Sequence, residues 1–218
     1  QARHLIAHKE TTVMRMLRHC LAFVALAFLA GCQTTSIQSA WFDSTYKGGP
    51  FRKVVVLASD GTTADSRVFE DIFVAKLQAA GVQAVPGYTT IPADARRGEG
   101  PFSAAVQATG ADGVILVRLL RVDTKTQVST MMVPGPMVGP WGGFYGPYFA
   151  GGFYAVPDVT QYEVASVETN VYATATKSLV WAATTQTVNP TTVAQEAPGY
   201  ADIVIAQLRA RGLLPATK

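Results

Sequence analysis

Histidine and cysteine are rare in this sequence, and both are missing after residue 32. The three histidines are His4, His8 and His19, and the two cysteines are Cys20 and Cys32. Nothing after residue 32 can therefore form a Ser-His-Asp or Cys-His catalytic arrangement, supply the usual nitrogen and sulfur ligands of zinc or copper, or close a disulfide. We expect no metal site and no cofactor, and an enzyme would have to rely on carboxylates, lysine or tyrosine.

An excess of positive charge is also missing once the first 31 residues are set aside. The chain has 18 Lys and Arg and 15 Asp and Glu, of which residues 1–31 hold four and one, which leaves 14 of each. Nucleic-acid-binding domains usually carry a basic patch and a high isoelectric point. The sequence therefore predicts no nucleic-acid partner.

The amino-terminal region has the order of features of a bacterial secretory leader. A nine-residue apolar run is too short to cross a bilayer as a helix, which needs about 20 apolar residues, but it suits a signal peptide, where about 7 to 15 suffice. The positive residues come first and are Arg15, Arg18 and His19. The apolar run is residues 20–28, and it is followed by Leu29, Ala30, Gly31 and Cys32.

The tetrapeptide that ends in Cys32 resembles the lipobox of bacterial lipoproteins. The resemblance implies cleavage before Cys32, lipidation of its thiol and membrane anchoring through the acyl chains. Gln33 follows the cysteine, and in such lipoproteins a residue other than Asp at this place favours the outer membrane. Two other interpretations are an ordinary secretory signal with a coincidental cysteine and a buried core helix.

The chain is expected to divide into a leader, a tether and one domain. Because Met14 (or Met16) is the first sensible start, residues 1–13 are interpreted as an extension that is not native. Trp41, Phe42 and Tyr46 either remain in the tether or dock on the domain. The expected segments are an extension at 1–13, a signal peptide at 14–31, a lipidated tether at 32–50, and a periplasmic α/β domain at 51–218 with an insertion at 129–157.

Alternating strand and helix patterns predict a βαβαβ unit with helices on both faces of a sheet, followed by a β-hairpin and a carboxy-terminal helix. Short β-branched runs indicate the strands, and apolar stripes ended by Gly81, Gly110 and Gly212 indicate helices. The expected strands are 54–57, 82–85, 114–124, 161–173 and 179–188, and the expected helices are 66–80, 102–109 and 199–211, with a polar loop at 89–100.

Three segments carry a resemblance to envelope lipoproteins with an α/β domain like the amino-terminal domain of TolB, a group that includes lipoprotein activators of penicillin-binding proteins. They are KVVVLAS at 53–59, TGADGVILVRL at 109–119 and ETNVYATATKSLVWAATTQT at 168–187, and the resemblance covers about 52–214. It implies a periplasmic domain that binds other proteins and catalyses nothing. No catalytic residue carries over from such domains.

The insertion at 129–157 is the most unusual part of the chain, because it has no charged residue, seven Gly and five Pro. Gly and Pro disfavour a regular helix or a long central strand. Its aromatic residues either contact a protein partner or a neighbouring copy, stack on glycans or enter the membrane interface, or fold back on the domain or stay disordered. They are Trp141, Phe144, Tyr145, Tyr148, Phe149, Phe153 and Tyr154.

Other candidate sites are weak. The loop at 59–63 lies between a strand and a helix, where phosphates bind, but it lacks the glycine spacing of phosphate-binding loops and is interpreted as a capping turn. Asp60, Asp112 and Asp123 could gather as a carboxylate or metal site only if the fold brings them together. Glu163 and Glu168 are five apart, which places them on opposite faces of a strand.

The sequence thus predicts a non-enzymatic lipoprotein of the outer membrane, facing the periplasm and acting through protein contacts or assembly. The alternative is a peptidoglycan or polysaccharide binding module that uses the aromatic insertion.

Overall fold

A computed structural model describes residues 35–59, 63–134 and 153–216, all within one compact unit that spans Thr34–Lys218. Among these residues, six strands form one sheet in the order β1-β6-β5-β4-β2-β3. The strands are β1 (Thr35–Phe42), β2 (Lys53–Ser59), β3 (Gln83–Pro86), β4 (Gly113–Pro134), β5 (Phe153–Ala173) and β6 (Ser178–Val188), and the helices are α1 (Thr63–Ala79), α2 (Gly87–Thr90), α3 (Glu99–Ala108) and α4 (Val193–Ala210).

The predicted βαβαβ unit, hairpin and terminal helix are confirmed. Strands β2, β3 and β4 are parallel, whereas β5, β6 and β1 continue the sheet in antiparallel order. Val54, Val55 and Val56 have no exposed surface, as expected for a β-branched run covered on both faces. Gly81 adopts a φ of 83° just after α1, a conformation that glycine reaches without steric cost.

The two faces of the sheet carry separate cores. On the front face, α1 and α4 pack over a core that includes Phe73, Leu77, Val204, Leu208 and the fully buried Trp181. The core on the back face includes Val55, Leu57, Ile91, Val106 and Val114. The elements on this face are α2, a 3₁₀ turn at Ala95–Arg97 and α3. Helices therefore lie on both faces of the sheet.

Part of the predicted tether at 32–50 belongs to the sheet instead, because Thr35–Phe42 forms the edge strand β1, which pairs with β6. The domain therefore begins at Thr35 and not at residue 51. Of the two alternatives for the aromatic residues, docking holds for Phe42 and Tyr46, which pack against the front core. Trp41 points to the other face and is exposed.

Both ends of the predicted insertion at 129–157 belong to strands in the structure. Strand β4 runs to Pro134 rather than residue 124, and β5 begins at Phe153 rather than residue 161, so the two pair in register from Pro134↔Phe153 inward. Proline is tolerated there because the outer edge of each strand has no ladder partner among the described residues. Trp141, Phe144, Tyr145, Tyr148 and Phe149 lie outside the described residues.

Two smaller boundaries also differ. The expected polar loop at 89–100 contains the end of α2 and the 3₁₀ turn. Helix α4 begins at Val193 instead of residue 199, with Pro198 inside it. The side chain of Glu196 accepts hydrogen bonds from the backbone N–H and the hydroxyl of Thr191 (3.0 and 2.8 Å), which stabilises the first turn ahead of the proline.

Candidate functional site

An open groove lies on the front face, between the amino-terminal ends of α1 and α4, and encloses about 390 Å³. Its floor is formed by the carboxyl-terminal end of β2 and the middle of β4 and β5, and its walls by the two helices. Pockets of about 300 Å³ or more commonly bind ligands or side chains of a partner. The groove was not predicted from the sequence.

The groove is mainly apolar because most of the strand residues that face it are Ala, Val or Leu. Small residues on three elements, Ala58, Ala165 and Ala197, leave the space that larger side chains would fill. The larger apolar residues around that space are Phe69, Val117, Leu119, Val122, Val167, Pro190, Val193 and Tyr200.

The charged residues that line the groove are all acidic: Asp65, Glu163 and Glu196. Asp65 and Glu196 lie in the first turns of α1 and α4, where a carboxylate is stabilised by the helix dipole. A carboxylate accepts hydrogen bonds and donates none. The acidic rim therefore favours an occupant that presents N–H or O–H donors or positive charge.

Buried hydroxyl groups lie between the sheet and α4, below the groove. The Tyr200 hydroxyl is hydrogen-bonded to Thr169, Thr185 donates to the carbonyl oxygen of Val167 at 3.2 Å, and Thr35 bonds Thr187 at 2.8 Å. Burial raises the pKa of Tyr200 above its ordinary value, with the hydrogen bonds to Thr169 and Thr185 acting in the opposite direction. These hydroxyls satisfy one another, which is the arrangement of a packed polar core.

Beyond the groove the sheet continues as a two-stranded ribbon, formed by residues 124–134 of β4 and 153–163 of β5. Opposite residues of an antiparallel pair share a face, so two polar pairs, Thr124↔Glu163 and Thr126↔Gln161, follow the groove on its own face, and the apolar pair Val128↔Val159 comes after them. Val128 and Val159 are 67% and 59% exposed. No helix among the described residues covers the front face of the ribbon.

Of the three acidic candidates, the two that the structure describes each have protein partners of their own. Asp112 accepts hydrogen bonds from the backbone N–H groups of Arg52 and Lys53 (2.8 and 3.0 Å) and so holds the start of β2. Asp123, eleven residues after Asp112 in the sequence, forms an ion pair with Arg121 at 2.6 Å. Asp60 lies outside the described residues, as do residues 61 and 62 of the loop at 59–63. No cluster that could hold a metal ion occurs in the described part of the chain.

Glu163 and Glu168 occupy opposite faces of β5, as predicted. Glu163 lines the groove on the front, whereas Glu168 forms an ion pair with Arg118 at 3.0 Å. The lipobox residues Leu29, Ala30, Gly31 and Cys32 lie outside the described residues, so the predicted lipidation site remains a prediction. Phe153 and Tyr154, two of the predicted aromatic contact residues, are the first two residues of β5. Within the described ranges, no helix is long and apolar enough to span a membrane.

Comparisons with known proteins gave structural similarities only. No family model matches the sequence, and no curated protein does. The fold is similar to a dodecamer of a PelC variant from Paraburkholderia phytofirmans, with 16% identity over 79% of this chain and 99% of that one and a TM-score of 0.45. It is also similar to lipoprotein GNA1162 from Neisseria meningitidis, with 10% identity, coverages of 72% and 98%, and a TM-score of 0.39. Values this low assign the chain to no family.

Proposed function

We propose that this protein is a lipid-anchored lipoprotein of the cell envelope that acts without catalysis, through contacts with another protein in the periplasm. The order of leader, apolar run, small residues and Cys32 supports the anchor, and Gln33 supports the outer membrane. The observation that carries the protein-contact role is the mainly apolar groove on the front face, which no other described element fills, together with the exposed pair Val128 and Val159 further along that face.

An apolar groove with a polar rim is typical of interaction sites. Monomeric proteins rarely leave a continuous apolar patch uncovered, since such a patch promotes association. Phe69 in the groove wall is of the aromatic type that provides much of the binding energy at interfaces. The acidic rim adds orientation and selectivity, because charges around an interface discriminate between partners more than they add affinity.

A non-enzymatic role fits the chemistry of the groove. Its lining is aliphatic, aromatic and hydroxylic apart from the three rim carboxylates. The Tyr200 hydroxyl is hydrogen-bonded to Thr169, and its raised pKa disfavours the ionised form that a nucleophile or a base would need.

Photo-crosslinking in living cells tests this proposal. A photoreactive residue placed at Val193, in the groove wall, is expected to give a discrete adduct with one envelope protein. A photoreactive residue at Thr184 is the matched control, because Thr184 lies on the opposite face of β6. Val122→Glu, which places a fourth carboxylate on the groove floor, is expected to abolish the adduct. Equal adducts from Val193 and Thr184, or none from Val193, would show that the groove binds no partner.

A further inference from the structure

The outer half of the ribbon differs from its inner half, because apolar side chains occupy both of its faces. We call residues 130–134 and 153–157 the distal ribbon. On the front face Met132 is opposite Ala155, and on the back face Met131 is opposite Val156. Met131 and Met132 are 53% and 59% exposed. A protein partner that packs on one face leaves the other in water, whereas a lipid environment covers both.

Charge is missing from this part of the chain. Residues 129–157 contain no Asp, Glu, Lys or Arg, and the flanking charges are Lys125 and Asp158. Charged side chains are strongly disfavoured in a bilayer, whereas Trp and Tyr concentrate at its interface. The uncharged stretch therefore has the composition of a segment that lies in a membrane interface.

The sheet register places the ribbon at the same end of the sheet as Thr35, the first residue of β1. Thr35 pairs with Thr187, Thr187 with Ala165, and Ala165 with Val122. Strands β1 and β5 are both antiparallel to β6, so the residues before Thr35 and the ribbon leave the sheet at the same end.

The lengths of two segments, from Cys32 to Thr35 and from Val122 to the end of the ribbon, indicate that the ribbon can reach the membrane. Cys32 precedes Thr35 by three residues, which span at most about 11 Å. The ribbon continues for twelve residues beyond Val122, which is about 40 Å of strand. An acyl anchor on Cys32 would therefore hold the end of the sheet close to the bilayer, within reach of the longer ribbon.

We propose that the distal ribbon lies in the interface of the bilayer that holds the acyl chains of Cys32, an inference that rests on the lipid anchoring proposed above. The insertion is shallow. The outer backbone edges of residues 124–134 and 153–163 pair with no other strand among the described residues, and the hydrocarbon core offers no hydrogen bonds to such edges. The headgroup region does offer them.

Fluorescence from single labels tests the inference in the lipidated protein, reconstituted in vesicles of phosphatidylethanolamine and phosphatidylglycerol. Acylation blocks Cys32, so Met131→Cys and Met132→Cys each supply one thiol for an environment-sensitive dye. Both labels are expected to shift to the blue and to be quenched by lipids with brominated acyl chains. Lys177→Cys, in the turn at the opposite end of the sheet, is the control and is expected to show neither effect. Added salt is expected to leave the quenching unchanged, since the contact is apolar.

Other outcomes overturn the inference. If both labels emit as in water, the distal ribbon lies outside the bilayer, and a blue shift without lipid quenching means that protein covers it. Measuring the intact mass of the protein distinguishes failure of the ribbon contact from failure of the proposed lipid anchoring. An acylated chain that floats with the vesicles while its labels stay in water contradicts only the ribbon contact. A chain that carries no acyl group contradicts the anchor itself.

Discussion

At the scale of single residues, Glu70 is the charged side chain most deeply enclosed among the described residues, with 1% of its surface exposed. Its carboxylate accepts hydrogen bonds from the backbone N–H groups of Ala58 (3.0 Å) and Tyr88 (2.9 Å), which join α1 to β2 and α2. The sequence pattern predicts only that Glu70 lies in the helix expected at 66–80. The structure shows that it connects three elements.

Removing that carboxylate is expected to destabilise the fold. Glu70→Ala leaves two backbone N–H groups without their acceptor in a poorly hydrated place, and the expected loss is about 2–4 kcal/mol of unfolding free energy. Urea denaturation measures it. Asp71→Ala, at the next and more exposed position, is the control and is expected to cost less than about 1 kcal/mol. Equal losses from the two variants would contradict the role of Glu70.

Tyr200 provides a prediction about pH. Its pKa in the folded protein is raised above the ordinary value of 10.0, mainly by burial. The unfolded chain therefore releases the phenol proton before the folded one does. The contribution of Tyr200 to stability is complete below pH 10 and is lost as the pH rises further.

The expected result is that unfolding free energy falls more steeply above pH 10 in the unmodified protein than in Tyr200→Phe. The difference in slope is at most about 1.4 kcal/mol for each pH unit, since one proton is involved. At neutral pH the variant is expected to be less stable by about 1 kcal/mol, because Thr169 loses its partner. Urea unfolding from pH 8 to 11 measures both effects, and parallel curves would refute the assignment.

At the scale of elements, β1 is the strand that the sequence did not predict, and neighbouring residues allow a matched test. Phe42 packs against the front core, whereas Trp41 is 52% exposed on the other face. Phe42→Ala is expected to cost about 2–3 kcal/mol and Trp41→Ala less than about 1 kcal/mol. Thermal and urea denaturation measure the two variants. Two neutral variants would mean that residues 35–42 are a tether after all.

The elements that sequence pattern predicted are those with one dominant signal. Continuous β-branched runs such as Val54–Val56, and helices ended by Gly81 and Gly110, depend on local chemistry, so their positions could be predicted to within a few residues. Strand β1 could not be predicted in this way. Half of its residues (TSIQSAWF) are polar, and its position in the sheet depends on pairing with β6.

The ribbon and the groove depend on long-range structure in the same way. The ribbon combines Thr, Gln and Lys with later Pro, and only cross-strand pairing makes it regular. The groove needs the register of three strands and the separation of two helices, which no short segment encodes. Its nearest local signal was the alternation of Glu163, Ala165 and Val167 along one face of β5.

At the scale of the whole molecule, the described fold and the predicted anchor are separable. The sheet begins at Thr35, three residues after Cys32. Cys32→Ser is therefore expected to leave the unfolding free energy of the domain unchanged while it removes the acyl groups. Attachment then depends on the distal ribbon alone, which is weaker than a lipid anchor of two or more chains.

Intact-mass analysis and membrane fractionation of Cys32→Ser and Gln33→Asp distinguish anchoring from sorting. The unmodified protein is expected in the outer-membrane fraction, with the mass of a chain that starts at an acylated Cys32. Cys32→Ser is expected to lose that mass and to move largely into the soluble periplasmic fraction. Gln33→Asp is expected to keep the acylated mass but to remain in the inner membrane, because Asp after the cysteine often signals retention there. An unmodified chain that is soluble and unacylated would contradict the anchor, whereas an unchanged location of Gln33→Asp would contradict only the sorting role of residue 33.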